Sequence, residues 1–135
     1  MEIGVSTLRE LFPCPCCGFR VFTFPPGYHQ VCPICSWEDN LAQLRFPLMP
    51  GGANRESLEV SQKNFREFGA ADRYSLDRVR EPDESDHQER DWRPLDTRTD
   101  NIEEPQRGVN YADSYPEDTT VLYYWRNSYW RRVVG

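Results

Sequence analysis

Cys14, Cys17, Cys32 and Cys35 are the residues whose type and spacing could do chemistry. They form two Cys-x-x-Cys pairs separated by fourteen residues, a spacing that lets four thiolates converge on one tetrahedral ion about 2.3 Å from each sulfur. Zinc is the first candidate. Iron takes the same four ligands and stays open, whereas disulfides would require an oxidising compartment. Cys16 makes a fifth cysteine within 22 residues. Pairing it with Cys14 would leave a single residue between the two, a poor knuckle, so Cys14, Cys17, Cys32 and Cys35 are assigned as ligands and Cys16 is left free, as a small buried hydrophobe or an alternate ligand during metal loading. Catalytic zinc sites keep an open position and four thiolates close this one, so the expectation is one structural Zn2+ and no catalytic group.

Around those cysteines the chain carries the residues a metal knuckle needs. Gly18 follows the first pair, where a positive φ or a close backbone approach is required, and Ser36 takes that place after the second. Pro15 and Pro33 stiffen the two turns. Between the pairs, Phe19 to Phe24 reads as a strand, Pro25-Pro26-Gly27 as a turn and Tyr28 to Val31 as a returning strand, which together predict a hairpin. The arrangement expected is a zinc ribbon or rubredoxin-like module.

Other elements must hold this module in place. Glu2 to Phe12 reads as a lead-in that packs onto the ribbon. Trp37 is expected to cover the cluster, with Glu38, Asp39 and Asn40 capping or turning the chain; adjacent carboxylates at 38 and 39 point apart in either a helix or a strand, so they make no natural acid/base pair. Leu41 to Met49 is mostly apolar, and Phe46 to Gly52 reads as an irregular covering loop that leads to a turn. The clearest helix runs from an Asn54 N-cap to a Gly69 C-cap, with Leu58, Ser61 or Gln62, Phe65 and Phe68 on its inner stripe. A second short helix is predicted over Ala70 to Arg80, stopped by Pro82. His29 and His87 are expected on the surface rather than on a metal.

The chain of 135 residues has a net charge of −6. Asp72 to Asp118 concentrates fifteen acidic residues against seven arginines, a net of −8, which argues against direct nucleic-acid contact and toward a protein partner, a basic one in particular. No apolar run approaches the length of about 18 residues that crosses a membrane. Nothing in Met1 to Phe12 reads as a signal peptide, and a cytoplasmic location is expected. Glu81 to Glu104 is poor in apolar residues apart from Trp92, Leu95 and Ile102, as in a flexible connector or an extended strap. Tyr123, Tyr124, Trp125, Tyr129 and Trp130 then form an aromatic segment that either folds back onto the ribbon or serves as a partner surface. The fold expected is small and α+β: residues 1–80 a ribbon-like module packed on a helix, 81–110 an acidic connector, 111–135 an aromatic extension.

Cys14-Pro-Cys-Cys-Gly18, Cys32-Pro-Ile-Cys35 with Trp37-Glu38-Asp39, and Ala53-Asn54 ahead of the Ser57-Leu58 helix together resemble the bacterial cysteine-rich CPCC domain family over roughly residues 10–80. The resemblance implies a small metal-binding domain, generally without an assigned activity and sometimes encoded in gene neighbourhoods of the toxin and immunity kind. With the closed site, the acid charge and the aromatic tail, the expectation is a noncatalytic immunity protein that binds a basic toxin domain directly. A zinc-ribbon accessory to nucleic-acid machinery is the alternative.

Overall fold

A computed structural model describes residues 11–132. The predicted lead-in before Leu11, and the closing Val133 and Val134, lie outside them. Two short strands, β1 (Phe12–Pro13) and β2 (Arg20–Phe22), pair antiparallel, with Phe12 opposite Phe22 and Pro13 opposite Arg20. Two helices follow, α1 (Leu41–Arg45) and α2 (Leu58–Phe68), and single 3-10 turns occur at Arg73–Ser75, Ala112–Ser114 and Thr119–Leu122.

The predicted hairpin of residues 19–24 with 28–31 does not form. Each Cys-x-x-Cys turn folds the chain on itself, so the segments that meet are those flanking one knuckle: β1 with β2 around the first, and Val31 with Glu38 around the second. Pro25 and Pro26 have no N–H to offer a ladder, and Gly27 and Tyr28 give theirs to Asp39 instead.

Leu41 to Arg45, a mostly apolar run with no element assigned to it from sequence, is a short helix whose start is capped by Asn40, which accepts from the Gln43 amide at 2.8 Å. Helix α2 begins three residues later than predicted. Its cap is Ser57, whose Oγ accepts from Val60 N–H at 3.2 Å, while Asn54 is held elsewhere. Gly69 closes the helix at φ +83° and donates to the Phe65 carbonyl, as its type predicts. Leu58, Ser61 and Gln62 form the buried stripe and Phe65 packs against the core at its edge. Phe68 is not inserted; the Arg73 guanidinium sits over its ring at 4.7 Å.

The second helix predicted over Ala70 to Arg80 is reduced to the 3-10 turn Arg73–Ser75. The Ala71 amide is taken by the Cys35 carbonyl at 2.8 Å, which holds the chain extended through Asp72 and leaves Tyr74 and Leu76 facing water.

The core is built on the cysteines. All five are fully buried, together with Phe22, Ile34, Trp37, Leu44, Leu58 and the run Leu122 to Trp125. The aromatic extension therefore folds back onto the module, with a 3-10 turn at Thr119–Leu122 leading into the buried rings of Tyr123, Tyr124 and Trp125. Residues of the acidic segment lie on the first knuckle: Glu89 N–H donates to the Gly18 carbonyl, Arg20 N–H to the His87 carbonyl, and Phe19 pairs with Gln88. Among the described residues no helix is long and apolar enough to cross a membrane.

Glu89 is the main ionic tie across this contact. Its carboxylate accepts from Arg20 Nη2 at 2.8 Å, from Arg126 Nε at 3.0 Å and Nη2 at 2.6 Å, and from the Trp125 indole. Burial alone would raise its pKa, but hydrogen bonds from Arg126 and Trp125 outweigh that and hold it below the ordinary glutamate value. A carboxyl depressed by folding stabilises above its unfolded pKa, about 4.3, and loses that contribution as pH falls through its lower folded value. Glu89→Gln is expected to cost about 1–3 kcal/mol at neutral pH. Paired urea titrations of the two chains should show the gap closing below about pH 4; a gap constant down to that pH would refute it.

Candidate metal centre

The two knuckles are built alike. In the first, Cys14 N–H donates to the Phe19 carbonyl at 2.9 Å and Gly18 N–H to the Cys14 carbonyl at 2.6 Å; in the second, Cys32 N–H donates to the Trp37 carbonyl at 2.9 Å and Ser36 N–H to the Cys32 carbonyl at 2.8 Å. The residue just after each pair is left-handed, Gly18 at φ +82° and Ser36 at +70°. This geometry lifts both sulfurs of a pair to one side.

The lifted sulfurs meet. Cys14, Cys17, Cys32 and Cys35 bring their sulfurs within 4.8 Å of one another, with Cys14 to Cys35 at 3.6 Å and Cys17 to Cys32 at 3.7 Å. Four sulfurs bound tetrahedrally at about 2.3 Å stand about 3.8 Å apart, so the donor set fits a single ion. None of the five cysteines is in a disulfide, and those separations far exceed the roughly 2.05 Å of a disulfide bond. Cys16 is buried but stands outside the four-sulfur group.

Burial pushes the Cys14 and Cys35 thiols well above their ordinary pKa. Cys32 goes the other way, burial being outweighed by hydrogen bonds from Cys14, Cys17, Cys35 and the Cys35 amide. Four buried thiols give up their protons together only with a cation among them, so this group is suited to a divalent metal and poorly suited to standing as free thiolates.

Several polar side chains prop the knuckles, and sequence spacing pointed to few of them. Gln62 donates to the Pro15 carbonyl at 3.0 Å and to Tyr124 Oη at 2.9 Å, and accepts from Leu95 N–H at 2.9 Å, joining knuckle, helix, strap and tail. Its signal was a glutamine on an apolar stripe. Gln88 donates to the Cys17 carbonyl, and Trp92 Nε1 to the Pro15 carbonyl at 3.0 Å. Beside the second knuckle, Asn54 accepts from Glu38 N–H at 2.7 Å, donates to the Glu38 carbonyl at 2.8 Å and bonds to Gln43. Trp37 is fully buried among the cysteines, as expected. His29 and His87 are exposed and hold no place in the sulfur group.

The left-handed positions give opposite expectations. A Cβ on Gly18 would lie 2.5 Å from the Trp92 ring, so Gly18→Ala combines backbone strain of about 1–2 kcal/mol with a steric clash of about 1–3 kcal/mol. Ser36→Gly relieves strain and is expected to stabilise by up to about 1 kcal/mol. Thermal unfolding of the metal-loaded proteins should separate the two in sign; the same sign for both would refute it.

Among the described residues, two short strands, two helices and a closed group of four cysteines define a small α+β metal-binding module. The family model for cysteine-rich CPCC proteins matches residues 12–86, more than half of the chain, and the chain belongs to that family. No curated protein matches the chain.

Proposed function

We propose that this protein is a noncatalytic module in which one structural Zn2+, held by Cys14, Cys17, Cys32 and Cys35, sets the shape of a protein-binding surface. The observation that carries the reading is the completeness of the sulfur group: all four donors are fully buried and together they match the tetrahedral demand of zinc, leaving the ion a structural task. Work then falls to the outer surface. The net charge of −6 and the exposed aromatic rings Phe24, Tyr28 and Tyr74 favour a basic protein partner. In its specific form the reading is a bacterial immunity protein, acting in the cytoplasm, that binds and neutralises a basic toxin.

The test is co-expression of the untagged chain with the protein encoded beside it. The expected result is one zinc per chain by elemental analysis, a copurifying basic partner and survival of cells making both. A metal-free folded chain refutes the structural ion; equal killing with and without the chain refutes neutralisation.

A further inference from the structure

The loop of residues 23–31 is clamped on every side and yet holds two aromatic rings in water. Asp39, 2% exposed, accepts from Gly27 and Tyr28 N–H at 2.9 Å each. Gln30 Oε1 accepts from Thr23 N–H at 3.0 Å and Phe24 N–H at 3.2 Å, its Nε2 donates to Thr23 Oγ1 at 2.9 Å, and its carbonyl takes the Asp39 amide. From the far end of the chain Thr119 Oγ1 donates to the Pro26 carbonyl at 2.8 Å. None of these bonds buries the rings. Phe24 and Tyr28 remain 50% and 59% exposed, stacked on one another with centroids 4.8 Å apart and planes 21° from parallel. Val31, 54% exposed, lines the rim of the cleft beside the second knuckle.

A rigid, stacked aromatic pair has already lost the freedom that binding would otherwise cost, which is the property of an interface anchor. Its border is acidic. His29 faces Glu38 at 3.7 Å on one side, and the Thr119 contact brings exposed Glu117 and Asp118 to the other. Asp118 is kept ionised by hydrogen bonds from Thr120, which lower its pKa. Arg55 and Arg78, across the cleft, mark where that border ends.

The geometry points to the Phe24–Tyr28 platform as the docking surface for a basic protein partner, which lays an apolar or arginine side chain on the paired rings and sets Lys or Arg against Glu38, Glu117 and Asp118. This rests on the protein-binding reading above and names the surface that carries it.

The probe is the full-length chain carrying p-benzoylphenylalanine in place of Tyr28, or, as control, in place of Val109, which is also exposed at 48%, photolysed in cells that also make the neighbouring basic protein. Binding of that protein is then measured by titration calorimetry with F24A, Y28A and the charge reversal E117K. Light should join the partner to position 28 and not to 109. F24A and Y28A should each weaken binding about 30-fold or more, and E117K should slow association and flatten its salt dependence, with metal content and melting temperature unchanged in all three. A complex that forms with undiminished affinity in F24A and Y28A, or a cross-link to a second copy of this chain, overturns the assigned surface while leaving partner binding standing. Absence of any complex in the wild-type chain overturns both.

Discussion

Replacing Cys32 with serine is expected to abolish metal binding and unfold the core, a loss on the order of 10 kcal/mol if the coupling energy of a structural zinc is forfeited. That exceeds or matches the whole stability of most small domains. The reason is positional: the five cysteines share one cluster with Trp37, Leu58 and Leu122 to Trp125, so the same atoms are both donors and core. Without a cation the site becomes four buried thiols whose ligand geometry has nothing to hold, and the two β strands flanking the first knuckle are too short to persist alone. Near-UV circular dichroism, reporting Trp37 and Tyr123, should collapse together with metal content by elemental analysis, and exhaustive chelation should reproduce it. A Cys32→Ser protein with native aromatic dichroism and an unchanged urea midpoint would refute the idea that the ion holds the core. Cys16→Ser supplies the contrast: one metal retained, and about 1–3 kcal/mol lost for placing a hydroxyl where a buried thiol packed.

Arg45→Ala is expected to be the most damaging substitution outside the cysteines, at about 3–5 kcal/mol. The Arg45 side chain is 4% exposed. It donates to both Glu103 oxygens, at 2.9 and 3.1 Å, and to Ser114 Oγ at 2.9 Å. Its guanidinium carbon lies 5.0 Å from the ring centroids of Phe46, Tyr111 and Trp130 and 4.6 Å from that of Tyr115. One cation thus ties α1 to residues 103–130, and its removal leaves Glu103 half of a broken pair and empties the space between four rings. Lysine cannot replace it, because an ammonium neither forks onto a carboxylate nor stacks flat, so Arg45→Lys should recover less than half of the loss. Denaturant unfolding gives the energies. Amide exchange should quicken in residues 103–130 while the knuckles keep their protection and their metal. Uniform loss across the chain, or full rescue by lysine, would count against this account.

The gathering of the four cysteines was legible because each knuckle is local. A Cys-x-x-Cys pair with glycine after it is a self-contained turn, and two such pairs need only be brought together, so Cys14, Cys17, Cys32 and Cys35 could be chosen over Cys16 by counting residues. Helix α2 and its Gly69 end were legible for the same reason, since periodicity and a left-handed cap are properties of a short window. The family likewise rests on motif residues within that region.

What the tertiary structure alone decided was where extended segments find partners. Phe19 to Phe24 reads as half of a hairpin, but the backbone groups that pair with it come from β1 and from His87 and Gln88, 67 and 69 residues beyond their partners Arg20 and Phe19. Asn54 is a fair cap by type, yet the Glu38 peptide and Gln43 claim its side chain and the cap passes to Ser57. Trp92 and Glu89 sit in a stretch that by composition belongs on a solvated surface, and Arg45 is a lone charge in a mostly apolar run; each becomes buried or partly buried only because a distant segment supplies its hydrogen bonds or rings. A sequence window records which groups a residue offers; which groups answer it depends on the path of the whole chain.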